Sequence, residues 1–298
     1  MGTGEDLRYL GNLLEQRGCS VLRSVANENL KSLRGFKTGG EELASEIVQC
    51  IAENSNLKRL SIVGNSLGGL YARYAIKILF NDSDGTIAGL EPHRFMSVAT
   101  PHLGVRNWTF VDDYGYKAPD IIKRLVSKVM LSTGRDIFGI KDEDSDEETL
   151  LFRMATEDSF LQPMRSFSDR RLYANLNRDF VVPLGTAAFM PDELVQELRK
   201  EHYGKTGIVS IMKIPPAEIG LSNGECRLND SHSHTDKMIG GLNGLGWDKI
   251  IVNFPGLLPI AHNKICALTR KPKWLYDKVL GFSAGQFVMS NASDWLSE

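Results

Sequence analysis

The sequence predicts an α/β fold, a mostly parallel sheet flanked by helices, and three observations predict it. The stretch 57–80, LKRLSIVGNSLGGLYARYAIKILF, changes from a short apolar run to a helical period at Ser66, the strand, sharp turn and helix of a G-x-S-x-G nucleophile elbow. Further apolar, β-rich runs alternate with helical patterns along the chain, the order that lays parallel strands side by side. A serine, an aspartate and a histidine then each follow the end of a different run, where reacting groups gather in open α/β sheets.

A helix is expected almost from the first residue. Thr3 with Asp6 forms a start signal, Leu7, Leu10, Leu13 and Leu14 supply an apolar face, and Gly18 is the stop. CSVLRSV, 19–25, reads as the next strand. Thr38 and Glu41 form a T-x-x-E capping box opening a helix with Leu43, Ala44, Ile47, Val48 and Ile51 along one side. After the strand at 57–63, the helix behind Ser66 is predicted to bury Leu70, Tyr71, Tyr74, Ala75, Ile78 and Leu79 and to leave Arg73 and Lys77 on the other face. Gly64 and Gly68 are read as the room that lets strand and helix approach. The turn signals NDSDG at 81–85 end this unit.

HRFMSVATPHLG, 93–104, reads as a strand closed by Pro101 and Gly104, and RRLYANL, 170–176, as the next. Roughly seventy residues lie between them, far more than an ordinary connection. The chain is therefore read as a single domain over 1–298 with a cap or lid insertion at 104–169. Within the insertion Ile121, Ile122, Leu125, Val126, Val129 and Met130 share a helical face opposite Lys123, Arg124 and Lys128; such a face either packs over the core or lies on a lipid surface. The acidic run at 142–148 reads as a solvated loop. Then come a helix over 191–201, a hairpin within 207–216, a helix over 234–245, a last core strand at 247–254, a loop carrying His262, and a closing helix over 285–296.

Composition narrows the function classes. A net charge of −2 over 298 residues and a pI near 6.3 argue against phosphate neutralisation of a nucleic acid. Cys19, Cys50, Cys226 and Cys266 show neither C-x-x-C spacing nor disulfide-rich density, which favours a reduced, cytoplasmic chain. The start lacks a basic n-region and an apolar h-region, and no run of 18 apolar residues occurs. No zinc pattern is present, and Gly240, Gly241, Gly244 and Gly246 do not form the dinucleotide fingerprint.

G-x-S-x-G by itself is weak: a chain of this length should match it by chance roughly 0.1 times at average glycine usage. It occurs three times, at Ser66, Ser222 and Ser283, so context decides. Ser222 follows Pro215-Pro216, which break a central strand, and no histidine follows Ser283. A serine hydroxyl near pH 7 needs a base within hydrogen-bond reach and a third group to orient that base. Ser66, Asp179 and His262 each follow a predicted strand, in the chain order Ser, Asp, His. His102, in a T-P-H-L-G turn, is read as structural or pocket-lining, and His232 and His234 as solvent-exposed. Asp169 and Asp248 begin their strands and so fall at the wrong end of the sheet. The oxyanion donors expected are the backbone N–H of Leu67, at a helix N-terminus, and one in the turn around Gly2.

GNSLGGLYARYAI, ATPHLG, NRDFVVPLGT and GWDKIIVNF followed by AHNKI together resemble the lipase-like putative serine esterase family of α/β-hydrolases. The resemblance implies an α/β-hydrolase-like fold and a triad carried onto Ser66, Asp179 and His262. It further implies hydrolysis of acyl esters in lipids, with peripheral attachment to membranes or lipid droplets, and no metal or organic cofactor. No obligate protein partner is evident. Members of the family open with a strand ending in a His-Gly oxyanion turn, whereas this sequence starts inside that turn. The expectation is an N-terminally incomplete fold with a gap of roughly 9 to 10 Å beside the 57–63 strand. Two alternatives are carried alongside hydrolysis: a non-catalytic lipid-binding or scaffold protein with an incomplete oxyanion hole, and a lipid acyltransferase.

Overall fold

Seven strands occur in the computed structural model, which describes residues 2–105, 131–140, 148–217, 233–256, 258–269 and 274–298. They are β1 (Arg59–Asn65), β2 (Phe80–Asn81), β3 (Thr86–Ile87), β4 (Glu91–Val98), β5 (Asp169–Asn175), β6 (Gly207–Ile214) and β7 (Trp247–Asn253). Five form one sheet in the order β1-β4-β5-β7-β6. β1, β4, β5 and β7 run parallel, and β6 is antiparallel to β7 at the edge. This is the mostly parallel sheet flanked by helices that the sequence predicts. β2 and β3 make a small hairpin around the 81–85 turn, whose backbone is held by the Asn81 and Asp84 side chains.

The sheet buries both faces, and alternate residues separate into two cores. Phe95, Leu172, Ala174 and Ile251 join one cluster, packed under α2 (Phe36–Ala52) and α3 (Gly68–Leu79). Met96, Val98, Tyr173, Ile250 and Val252 join the other, covered by α1 (Arg8–Gln16) and the closing helix Gln286–Ser297 through Leu10, Val288, Met289 and Ala292. From the expected insertion, Leu151, Met154, Phe160 and Met164 lie in the same cluster as α3. The predicted 121–130 helix and most of the acidic run lie outside the described residues.

Several local expectations are corrected. Residues 19–25 form no strand; Leu22 and Val25 are 42% and 56% exposed. Their polar groups go elsewhere: Val25 N–H donates to Glu46 of α2 at 2.9 Å and Arg23 pairs with Glu15 at 2.6 Å. α2 starts at Phe36, two residues before the expected capping threonine, and its first turn is capped from afar: Gly35 N–H donates to Thr133 Oγ1 at 2.9 Å and Phe36 N–H to Asp136 at 2.7 Å. The 207–216 hairpin is instead the single strand β6, because its eight residues contain no turn and find a partner in β7. Arg73, placed on the polar face of α3, is 1% exposed, while Ile78, placed on the apolar face, is 45% exposed. α3 is enclosed around its first two turns by the sheet, α2 and the helix Asp158–Arg165, so its amphipathic pattern does not set which residues are buried.

Candidate active site

β1 ends at Asn65, and Ser66 takes the next position with φ of 54°, a left-handed backbone that a serine rarely adopts. Its N–H donates to the Val98 carbonyl at 2.9 Å, which ties the turn to the end of β4. A Cβ on Gly64 would overlap the Gly69 backbone, and one on Gly69 would overlap Thr100, whereas one on Gly68 would meet nothing. The close approach that sharpens the turn therefore runs through Gly64 and Gly69 rather than Gly64 and Gly68. Leu67 is the N-cap of α3, so its N–H lies at the positive end of that helix.

Asp179 follows β5 and is 2% exposed. One carboxylate oxygen accepts from the N–H groups of Val181 and Val182 at 3.0 and 2.8 Å. The other accepts from Asn175 Nδ2 at 2.7 Å and faces His262 Nδ1 at 3.1 Å. Four donors fix the carboxylate. The two loops also meet through their backbones, by a bridge between Asp179 and Ile260 and by Ala261 N–H donating to Arg178 O at 3.1 Å.

His262 lies on the short helix Ala261–Ile265, beyond β7, with its side chain 13% exposed. Burial by itself would lower its pKa, but the charge and hydrogen bond of Asp179, with a further contribution from Asp6, raise it above the ordinary 6.5. With Nδ1 donating to Asp179, Nε2 is the nitrogen available as a base. The structure thus brings Asp179 and His262 into contact and puts Ser66 beyond a parallel strand of the same sheet, at its carboxyl edge. Among the described residues no hydrogen bond joins the Ser66 hydroxyl to His262.

Gly2 lies against Asp6: a Cβ there would be 3.2 Å from Asp6 Oδ2, the oxygen that accepts from Thr3 N–H at 3.1 Å. Asp6 is 8% exposed and its charge is felt by His262. In the sequence Asp6 reads only as a helix-start residue, and no local signal puts it near a histidine 256 positions further on. Leu7 and Ile260 share the small cluster around Cys266 and Phe282, which brings the two segments together. The rival residues go elsewhere. His102 is fully buried, His234 has a 68% exposed side chain, and Asp169 and Asp248 face Arg94 and Arg171 at the amino ends of their strands. Ser283 sits in the helical turn Phe282–Gly285 with no strand before it, and His232 and Ser222 lie outside the described residues. Beside the Asp179–His262 contact, Phe180, Val181 and Leu258 are 47%, 51% and 57% exposed.

A strained serine between a parallel strand and a helix, with an acid–histidine pair on neighbouring loops of the same sheet, is the framework of α/β serine esterases. The chain belongs to the family of putative serine esterases designated DUF676, whose profile matches residues 1–190. That match includes Ser66 and Asp179 and ends before His262. The chain is similar to the putative lipase YDL109C of Saccharomyces cerevisiae, 28% identical over 60% of this chain and 26% of the relative. It is also similar to the putative lipase ROG1 of the same yeast, 29% identical over 65% of this chain and 28% of the relative. The putative lipase C4A8.10 of Schizosaccharomyces pombe is 27% identical over 62% of this chain and 24% of the relative. The chain therefore spans about a quarter of the length of these curated relatives. No solved structure matches it.

Proposed function

We propose that the protein is a serine carboxylic-ester hydrolase that cleaves acyl esters of lipids through Ser66, His262 and Asp179. Ser66 Oγ attacks the acyl carbonyl while His262 Nε2 takes its proton. Asp179 holds the imidazole in the required tautomer and stabilises the imidazolium as it forms. The tetrahedral oxygen is held by Leu67 N–H and by the turn at Gly2. His262 then returns the proton to the departing alcohol, and water, activated by the same imidazole, releases the acid from Ser66.

The observation that carries this reading is the buried Asp179–His262 contact, 3.1 Å, on the sheet whose first strand leads directly into the left-handed Ser66. Nucleophile-to-base hydrogen bonds are often long before substrate arrives and tighten in the complex, so their absence here is compatible with the mechanism. Lipid is the substrate class supported by the exposed apolar groups Phe180, Val181 and Leu258 around the pair. The relatives named lipases support it as well. No helix among the described residues is long and apolar enough to cross a membrane; the reading is of a chain that meets lipid peripherally.

The test is covalent labelling. Incubating the purified protein with a fluorophosphonate probe should modify Ser66, and Ser66→Ala should abolish the label. Labelling that survives the substitution, or none in the wild type, overturns the reading. The missing Ser66–His262 hydrogen bond favours one second reading, a lipid-binding protein without turnover. That protein would bind phosphatidylcholine vesicles and leave the probe unreacted.

A further inference from the structure

A polar cluster lies buried beneath the nucleophile turn. Arg73, His102, Ser97 and Lys249 are 1%, 0%, 1% and 2% exposed. Arg73 sits on α3 about two turns beyond Ser66. Its guanidinium donates from Nη2 to the Met154 carbonyl and approaches His102 Nδ1 at 3.3 Å from Nη1. Among the described residues no carboxylate pairs with it. A guanidinium has only donors, so His102 Nδ1 is the acceptor and the ring proton is on Nε2. That proton points at Ser97 Oγ, 2.9 Å away on β4. Burial, followed by the charges of Arg73 and Lys249, keeps the His102 pKa well below its ordinary value, in agreement with a neutral ring.

The same residue reaches the other parts of the site. His102 N–H donates to Thr186 O at 3.1 Å and Leu103 N–H to Thr186 Oγ1 at 3.1 Å, on the helix Leu184–Ala187 that follows the Asp179 loop. Its ring meets Phe189 and Trp247 edge-on, with centroids 5.5 and 5.9 Å away, and Trp247 opens β7, the strand that leads to His262. Ser97 precedes Val98, whose carbonyl receives the Ser66 N–H. One imidazole therefore ties the nucleophile's helix to the strand that anchors the nucleophile's backbone and to the segments that lead to the acid and the base.

We propose that His102 is a positioning residue for Ser66. By accepting from Arg73 and donating to Ser97 it sets the roll of α3 against β4, and with it the placement of the serine hydroxyl toward His262. The role rests on the hydrolase reading above. A buried guanidinium with only neutral acceptors is a costly way to fill a core, and an apolar side chain of similar volume would pack there at least as stably; what the arrangement supplies is a defined orientation.

The test uses three substitutions in the full chain. Asn places an oxygen near the Nδ1 position and keeps the acceptor for Arg73, Gln places an N–H near Nε2 and keeps the donor to Ser97, and Leu keeps neither. His102→Leu should slow fluorophosphonate labelling and kcat on a short-chain p-nitrophenyl ester by about 10- to 100-fold, the loss expected from an ångström-scale misplacement, with KM little changed. His102→Asn and His102→Gln, each keeping one of the two hydrogen bonds, should fall between His102→Leu and the wild type, with His102→Asn the faster because it leaves the buried guanidinium with its acceptor. If His102→Leu does not fold, the Asn and Gln variants decide the matter alone. Wild-type rates in His102→Leu or His102→Gln overturn the proposal, as does a loss confined to KM. So does a 15N spectrum in which His102 titrates between pH 5 and 8 or carries its proton on Nδ1. A wild-type protein that takes no label defeats the hydrolase reading, and the positioning role falls with it; a labelled wild type with unaffected variants defeats the positioning role only.

Discussion

Asp179 receives two backbone N–H groups, one amide and the His262 ring, so its side chain is held before any substrate arrives. A carboxylate so placed both orients the imidazole and favours its protonated form, which is why the pKa of His262 is raised although burial opposes it. A base must be neutral to act. Activity is therefore expected to fall as pH drops through the raised pKa, placing the acid limb of kcat/KM above 6.5. Asp179→Asn should lower kcat by about 10⁴-fold, as an amide in this role favours the wrong tautomer, and should move the acid limb down. A pH–rate profile of the two proteins checks both; an unchanged limb would remove Asp179 from the site.

At the scale of elements, the sharp turn depends on how closely α3 comes to β1. Gly64 and Gly69 touch, and Gly69 packs on Thr100, so no side chain fits between strand and helix. Gly64→Ala is expected to destabilise the protein by about 1–3 kcal/mol, the usual range for overpacking, and to reduce fluorophosphonate labelling of Ser66. Gly68→Ala, which adds a methyl where nothing lies within 4 Å, should leave stability within about 0.5 kcal/mol of wild type. Urea denaturation of both variants separates them, and equal effects would refute this account of the turn. The pairing of α2 with Thr133 and Asp136 shows the same dependence on distant partners. Its cap spans 98 and 100 positions of sequence.

For the molecule as a whole, the notable cost is a lysine inside the sheet. Lys249 lies on β7, 2% exposed, with Nζ donating to Ala188 O at 2.7 Å and 4.0 Å from the centre of the Phe189 ring. Burial lowers its pKa from 10.5 to about 7. Between those two values the unfolded chain binds more protons than the folded one, so this residue makes stability rise with pH across that window, with the full penalty present below it. Lys249→Met is expected to raise the melting temperature at pH 6 and to raise it less at pH 9. Thermal melts at the two pH values check this; an equal gain at both would contradict the buried charge.

Much of the fold and of the site was legible in the residues. The mostly parallel sheet, the turn at Ser66, and the places of Asp179 and His262 beyond the carboxyl ends of their strands, with Asp169 and Asp248 at the amino ends, follow from period, turn chemistry and the end of the strand on which a residue falls, and those signals are local. The tertiary structure decided what depends on partners. Residues 19–25 have the composition of a strand but spend their polar groups on Glu46 and Glu15. Arg73 reads as a surface cation because helical periodicity records only one buried face, and it is interior because α3 is enclosed on several sides. Asp6, His102 and Lys249 acquire their surroundings the same way. A side chain's neighbours within a few positions are written in the sequence, whereas the charge or hydrogen bond that reaches it from elsewhere in the chain exists only once the chain has folded.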